Sequence, residues 1–355
     1  MMMKKKRQKQ YVDLRDKLLR SDSGQEADIL RKNLPLIDRN LLKILWQQTE
    51  IFKKQGECNN LYRWQNLTRI LDISQGNYLT VLNRKIDADQ YFQKGYLQEQ
   101  THLFSEALSS WQEALKIYRE IADFLAEAIT LNNMGFIHHC LGESQQAMEC
   151  YQESLARSRE IEYPLGEANS LVNLGIVYDL LNAHEPAISC YQNSLAIYQR
   201  LKHRQGEGIC LHNLGLLYYS LGQYQDAMPG GFSEAIAYYQ QSLLIKEEIV
   251  EHQGKSLCLG GLGNASYAIG EYENAIKFYQ QQLEMIEFFG DHQAEAKTLL
   301  NIALAYDALG LSENAIGYYQ QSLQISREIG YPLEIKHEFN NPNLIPPLPT
   351  WDSQP

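Results

Sequence analysis

The chain has 355 residues, of which 44% are apolar, and a formal net charge of −11 at pH 7. This length suits one or two domains or an extended repeat array, and the apolar fraction argues against a disordered chain. The basic N-terminus leads into no apolar stretch, and about 18 consecutive apolar residues occur nowhere, so neither a signal peptide nor a membrane span is expected. We therefore expect a cytoplasmic protein.

The charge distribution and the cysteine spacing limit the kinds of partner and metal site that are expected. Residues 1–88 carry a balance of +8 and the remainder a balance of −19, which indicates two modules. The acidic remainder would repel phosphates, so nucleic acid is not an expected partner, although the basic start KKKRQK fits either an anionic surface or a solvated tail. The six cysteines include no CxxC pair, which fits neither a disulfide framework nor a zinc site.

The N-terminal segment, residues 1–85, predicts a basic helical module without internal repeats. Four amphipathic stretches are separated by SDSGQ, NLP and GECNN. They are KQYVDLRDKLLR, ADILRKN, LPLIDRNLLKILWQQTEIFKKQGE and NLYRWQNLTRILDI. We expect this module to cap the exposed face of the repeats that follow.

Residues 86–333 repeat with a period of forty. A small residue recurs in steps of 40, except for one step of 48, at Gly95, Gly135, Gly175, Gly215, Gly263 and Ala303. An alanine follows twelve residues later, then an aromatic residue and a leucine at further intervals of four. Spacings of four are helical, and the preceding stretch is also helical and ends at a turn. Each of six units is therefore predicted to be an antiparallel helix pair that buries its apolar stripe against its neighbours.

The step of 48 places eight extra residues in the fourth unit. GQYQDAM and GGFSEAI repeat one phrase at an offset of eight, so that Ala227 is in register with the preceding units and Ala235 with the following ones. Pro229 and the two glycines after it disfavour a continuous helix. We expect a longer inter-helix loop near residues 222–231.

The repeat sequences resemble a known family. NNMGFIHHCLGESQQAMECYQESL and NIALAYDALGLSENAIGYYQQSL resemble the tetratricopeptide repeat. The forty-residue period resembles the long-helix subclass of Pins/LGN adaptors, kinesin light chains and many bacterial signalling proteins. The resemblance implies an all-α fold, a right-handed superhelical solenoid of antiparallel helix pairs with an N-terminal helical cap.

The N-terminal segment resembles the helical leader of some cyanobacterial tetratricopeptide proteins. Several of those continue into a caspase-like CHAT protease domain. Here the chain ends 22 residues after Leu333, so we expect no such domain and no enzymatic activity.

Two glycine-containing motifs suggest nucleotide binding but depart from the required patterns. GKS at 254–256 would need a glycine at the position of Ile249 to form a phosphate-binding loop. GGLGNAS has Ser266 where a dinucleotide fingerprint needs its third glycine. We expect no catalytic residue and no cofactor.

A cluster of potential metal ligands lies in the second unit. It contains His138, His139, Cys140 and Glu143. His138, however, falls in a column that is tyrosine in three other units, so we interpret it as a core residue and expect no metal site.

Asparagine stands two residues before the small position in four units. These are Asn133, Asn173, Asn213 and Asn301. Two helical positions turn a side chain by roughly 200°, away from the partner helix that the glycine faces, and an amide can both donate to and accept from a peptide backbone. The resemblance implies that this column lines a groove that holds an extended partner segment. The alternative is that these amides cap or bridge neighbouring helices.

Other positions are expected to line the same groove. They are Asn264, His139, Asp179, Tyr219, Tyr267 and Asp307. Lys297 is the only obvious cation among the lining positions, which argues against a clamp for a ligand carboxylate. A protein or peptide segment with apolar anchors and some positive charge is the better ligand prediction.

The tail, residues 334–355, is rich in proline. Its apolar residues Ile345, Leu348 and Trp351 could cover the last repeat, that repeat could instead mediate self-association, or the tail could be disordered. The function predicted from the whole sequence is a non-enzymatic adaptor. The alternatives are a peptide-sensing regulator and the truncated or split leader of a CHAT-type protease system.

Overall fold

The computed structural model is helical throughout its described residues, which are 2–22, 24–55, 57–74, 76–223 and 230–330. Within these ranges the chain forms sixteen α-helices and one short 3-10 helix, and no strand. None of these helices combines the length and hydropathy needed to cross a bilayer. The chain divides into two compact units, Met1–Asn182 and Ala183–Pro355, which are described separately.

The N-terminal helices form their own apolar core. They are α1 (Met2–Leu19), α2 (Glu26–Arg31), a 3-10 turn (Leu34–Leu36), α3 (Arg39–Gln55) and α4 (Cys58–Ile73). Pro35 lies in the 3-10 turn, so the third predicted stretch becomes helical only from Arg39 onward. Leu14, Leu41 and Trp64 are buried together in this core.

Helix α5 (Tyr78–Gln100) joins the N-terminal core to the repeats. Its Leu82 belongs to the N-terminal core, whereas a Cβ at Gly95 would lie 2.6 Å from the ring of Trp111 in the first repeat. The helix therefore runs without interruption through residues 85 and 86, where the sequence predicted the boundary between two modules.

The remaining helices alternate in a fixed pattern. The first compact unit, Met1–Asn182, continues with α6 (Phe104–Glu120), α7 (Phe124–Cys140), α8 (Ser144–Glu160) and α9 (Pro164–Leu180). The second contains α10 (His184–Leu201), α11 (Arg204–Gln223), α12 (Gly231–Glu248), α13 (His252–Ala268), α14 (Tyr272–Phe289), α15 (His292–Ala308) and α16 (Ser312–Glu328). We call the odd-numbered helices from α5 onward A helices and the even-numbered ones from α6 onward B helices.

The small column lies where an A helix meets its B helix. A Cβ at Gly135 would lie 2.6 Å from the ring of Tyr151, and one at Gly215 would lie 2.7 Å from that of Tyr239. Both distances are too short for a real Cβ, so glycine lets the aromatic ring lie directly against the backbone. The recurring small residue is thus explained by the aromatic ring that packs on it.

A serine column holds the helix pairs together and was missed in the sequence. Three residues after the aromatic position, a buried hydroxyl donates a hydrogen bond to a carbonyl of the paired A helix. The pairs are Ser154 to Ala128 at 2.8 Å, Ser242 to Gly208 at 2.9 Å and Ser322 to Ala296 at 2.6 Å. Each bond satisfies a polar group inside the apolar seam.

The inserted region begins with helix rather than loop. Helix α11 has 20 residues against 17 in α9, so Gly222 and Gln223, where a loop was predicted, are helical. Helix α12 begins at Gly231 after a left-handed Gly230, and Ala235 is fully buried in the expected stripe. Residues 224–229, including Ala227 and Pro229, lie outside the described residues. The expectations for the tail and for self-association fall on residues 331–355, which are also outside them.

Candidate functional site

Acidic N-caps start three of the A helices. Asp123, Glu251 and Asp291 each accept a hydrogen bond from the backbone N–H three residues ahead, at 2.7–3.0 Å. Such N-caps satisfy one of the unpaired donors at a helix start. Because each cap stands twelve residues before the small position, α7, α13 and α15 start at the same point of the repeat.

Some of the A helices carry exposed apolar side chains. In α7, Ile129 and Phe136 stand six before and one after the small position and are 38% and 45% exposed. The same positions in α11 are Ile209 and Leu216, at 38% and 46%. The position six before the small residue is polar in three other A helices, where it is Asp89, Asn169 or Lys297. We use the name A-helix face for the positions six before, two before and one after the small position of each A helix. Exposed apolar patches mark binding surfaces.

The predicted asparagine ladder lies within the A-helix face. All four of its members are half-buried. Asn173 Nδ2 donates to Asn132 Oδ1 at 3.0 Å, which is the helix-bridging role that the sequence left open. Asn133, Asn213 and Asn301 make no side-chain hydrogen bond within the described residues.

The fifth repeat shows how close the asparagine column lies to the interface between repeats. Gly261 replaces the asparagine, and a Cβ there would lie 2.6 Å from Cζ of Tyr239. The ladder is therefore interrupted where an aromatic ring occupies its space.

The other predicted groove residues differ in what they can offer a ligand. His139, Asp179, Tyr219 and Tyr267 are half-buried. Asn264 Oδ1 accepts a hydrogen bond from Tyr279 at 2.8 Å, and Asp307 is only 7% exposed. Asn264 and Asp307 thus present little to a ligand, and the role of all six remains a prediction.

Of the residues six before the small position, only Lys297 was recognised from sequence as part of the site. Ile129, Ile209 and Leu257 occupy this position in three other repeats and are all exposed. A large apolar residue outside the buried stripe in these three repeats was the available signal.

The sequence motifs that suggest metal or nucleotide binding do not have the local structure that such binding requires. His138 Nδ1 and Glu143 Oε2 lie 2.6 Å apart, and in the described part of the chain no three His, Cys, Asp or Glu side chains are grouped to hold a metal ion. The GKS and GGLGNAS motifs both lie inside α13. Neither forms the glycine-rich loop between strand and helix that phosphate binding requires.

Comparison with known proteins agrees with the repeat pattern. The tetratricopeptide repeat profile matches residues 90–160, 126–200, 166–229 and 259–328. Together these segments cover more than half of the chain. No curated protein matches the sequence.

Several solved structures share the fold. BtubC from P. vanneervenii is 17% identical, with 64% of this chain and 92% of that chain covered and a TM-score of 0.56. A Rap protein complexed with Competence and Sporulation Factor is 15% identical, with 91% and 99% covered and a TM-score of 0.51. A STAND signal transduction ATPase with a tetratricopeptide repeat sensor, from Pyrococcus horikoshii, is 13% identical, with 92% and 47% covered and a TM-score of 0.61. At such identities the likeness concerns the fold alone, and with the profile match it leads to one conclusion: the chain belongs to the tetratricopeptide repeat family.

Proposed function

We propose that the chain is a non-enzymatic cytoplasmic adaptor whose A-helix face binds an extended protein or peptide segment. One observation carries this proposal: Asn133 and Asn213 are half-buried, lack a hydrogen-bond partner in the described residues, and stand beside exposed apolar side chains. Their amides are therefore available to a ligand. The backbone of an extended ligand would supply both a donor and an acceptor.

The side chains of the A-helix face and the charge of the surrounding region indicate what kind of ligand would bind. The exposed apolar side chains of the A helices favour a segment with apolar anchors. The region after residue 88 carries a charge balance of −19, so a positively charged segment would be attracted to it. The spacing of the six cysteines does not form a disulfide pattern, which suits a reducing compartment.

A pull-down tests the proposal. The double variant Asn133→Ala with Asn213→Ala should reduce partner capture from a host lysate at least tenfold, while helicity and melting temperature stay unchanged. Asn193→Ala, at an exposed position of the B helix α10, is the matched control and should bind like the wild type. Unchanged capture by the double variant would refute the proposal, and loss of folding would show that the ladder is structural.

A peptide-sensing regulator is the second candidate. The Rap structure, which contains Competence and Sporulation Factor, aligns with 91% of this chain, so the match extends beyond the repeats into the N-terminal helices. In this case the bound segment would be a short signal peptide that alters the N-terminal helices. Hydrogen exchange distinguishes the two candidates, because only the sensor predicts changed protection in α1 and α3 when the segment binds.

A further inference from the structure

A cavity of about 750 Å³ lies within the first compact unit, Met1–Asn182, between the N-terminal helices and the first two A helices. Helices α2 and α4 form one wall, and α5 and α7 form the other. Its apolar lining includes Leu67, Ile86, Leu97, Leu125 and Ile129. The volume lies in the range of about 300–1,000 Å³ that small-ligand sites occupy.

The cavity contains the first repeat's portion of the A-helix face. Asp89 lines it and stands six residues before Gly95, the position that is isoleucine in α7 and α11. Gln93, which takes the ladder position in the first repeat, lines it as well. An acidic side chain thus replaces an apolar one where the face is covered by α2 and α4.

Asp89 belongs to a buried polar network with an excess of negative charge. Lys85 Nζ donates to Asp89 Oδ1 at 3.1 Å and to Asp123 Oδ2 at 2.8 Å, and the Tyr118 hydroxyl donates to Asp89 Oδ1 at 2.8 Å. Asn66 Nδ2 donates to Asp123 Oδ1 at 2.6 Å. Two carboxylates share one ammonium, so the network carries one uncompensated negative charge when both are ionised.

One oxygen of this network has no partner. Asp89 Oδ2 is buried and accepts no hydrogen bond. Burial of a carboxylate without full compensation is unfavourable, and burial raises the pKa of Asp89. The unsatisfied acceptor thus belongs to a carboxylate that lines the cavity.

The other carboxylates near the cavity are already paired. Glu26 Oε1 accepts from Arg63, and Glu26 Oε2 accepts from the Gly24 backbone at 2.8 Å. Asp28 pairs with Arg31 at 2.7 Å. Arg63, Lys85 and Lys94 are the cations that line the cavity, and Asp89 is the lining carboxylate with an unpaired oxygen among the described residues.

We propose that this cavity binds a positively charged amine or guanidinium carried on an apolar body. The cationic N–H group donates to Asp89 Oδ2, and the apolar body packs against Leu97, Leu125 and Ile129. If the proposed function is right, this group is a lysine or arginine side chain, or the N-terminal residue, of the segment bound along the A-helix face.

Three probes of equal shape test the site directly. Saturation-transfer NMR on the full chain compares 4-phenylbutylamine with the neutral 4-phenylbutanol and the anionic 4-phenylbutyrate. The amine should bind at least tenfold more tightly than the alcohol, and the carboxylate should not bind. Equal binding of amine and alcohol would overturn the proposal.

Two variants and one control locate the binding. Asp89→Asn should weaken amine binding at least tenfold, and Ile129→Trp should weaken it by filling the cavity without changing charge. Asp87→Asn, exposed on the same helix, should bind the amine like the wild type. Retained binding in Asp89→Asn, or an equal loss in Asp87→Asn, would also overturn the proposal, and the melting temperature of each variant shows that it is folded.

Peptide pools identify the source of the cation. One pool of hexapeptides has acetylated N-termini and a lysine at varied positions, and the other has free N-termini without lysine or arginine. Enrichment of either pool over an acetylated, uncharged pool supports the proposal and names the source, and enrichment of neither contradicts it. Amine binding without partner capture in the pull-down would refute the proposed function alone, whereas capture without amine binding would refute this inference alone.

Discussion

The two units contain buried charged clusters built on the same repeat positions. Tyr118 and Asp123 of the first unit correspond to Lys246 and Glu251 of the second. In the second unit Lys246 donates to Glu251 Oε2, and Glu251 Oε1 accepts from the Gly254 backbone at 2.7 Å, so the charges cancel and no acceptor is left over. In the first unit the cation comes from another helix and must serve two carboxylates. The comparison shows that one turn geometry can form either a closed structural pair or an open acceptor.

The two clusters also respond to protons in opposite directions. Burial, together with the nearby Lys246, lowers the pKa of His212 to about 4, so this side chain is neutral in the folded protein near neutral pH. Its Nδ1 lies 3.6 Å from Cys258 Sγ. Burial raises the pKa of Asp89. Acidification therefore destabilises the folded protein through His212 in the second cluster and stabilises it through Asp89 in the first.

Removing the shared cation should have the largest effect. Lys85→Met leaves Asp89 and Asp123 close together without a counter-charge, and we expect a loss of about 3–5 kcal/mol in the free energy of unfolding. Chemical denaturation measures it. Lys94→Met, at an exposed lysine of the same helix, should change little, and similar losses in both variants would contradict the account of the cluster.

The pH dependence should be the next largest effect. The unfolded chain protonates His212 near its ordinary pKa of 6.5, whereas the folded chain does so only near 4. The stability from the neutral ring is complete above pH 6.5 and falls by roughly 3 kcal/mol as the pH drops through the folded pKa. Denaturation of His212→Gln at several pH values should show a flatter profile between pH 6.5 and 4. An unchanged slope would show that the ring titrates normally.

Breaking the closed pair should cost less than breaking the open one. Lys246→Met should destabilise the protein by about 2 kcal/mol, because Glu251 is 34% exposed and water can replace part of the lost interaction. Lys255→Met removes an exposed pair with Glu247 and should cost at most about 1 kcal/mol. Thermal melts of both variants make the comparison, and a loss for Lys246→Met larger than that for Lys85→Met would reverse it.

The smallest effect on stability is expected at Asp89. Asp89→Asn leaves Lys85 and Asp123 as a balanced pair, so the free energy of unfolding should change by less than about 0.5 kcal/mol or rise. Because the pKa of Asp89 is raised on folding, the wild type should lose stability relative to the variant as pH rises through that pKa. A loss of several kcal/mol in Asp89→Asn would show that its main role is structural.

The repeats could be predicted because one physical constraint recurs in every unit. Only a small residue lets the aromatic ring approach the A helix, so residues of the types of Gly135 and Tyr151 recur at fixed spacing in the repeats. The serine column was visible in the same spacing, as Ser154 and Ser242 illustrate, but hydroxyls buried in an apolar seam do not alter an apolar pattern.

The cavity could not be predicted by the same reasoning. Its network joins Asn66, Lys85, Tyr118 and Asp123 from separate helices and turns, and two of them, Asn66 and Lys85, lie in the segment without repeats. Asp89 stands at a position that is apolar in only three repeats, and only the packing of α2 and α4 makes it a buried charge. The placement of non-repeating helices depends on tertiary packing rather than on a period.

Site-specific crosslinking tests the central claim that the A-helix face binds an extended segment. A photoreactive phenylalanine analogue replaces Phe136 on the face of α7 or Ala156 on the exposed side of α8, and the adducts with the captured partner are mapped by mass spectrometry. We predict that position 136 crosslinks to one continuous segment of the partner and that position 156 yields no adduct. Adducts from position 156 alone, or equally from both positions, would contradict the account.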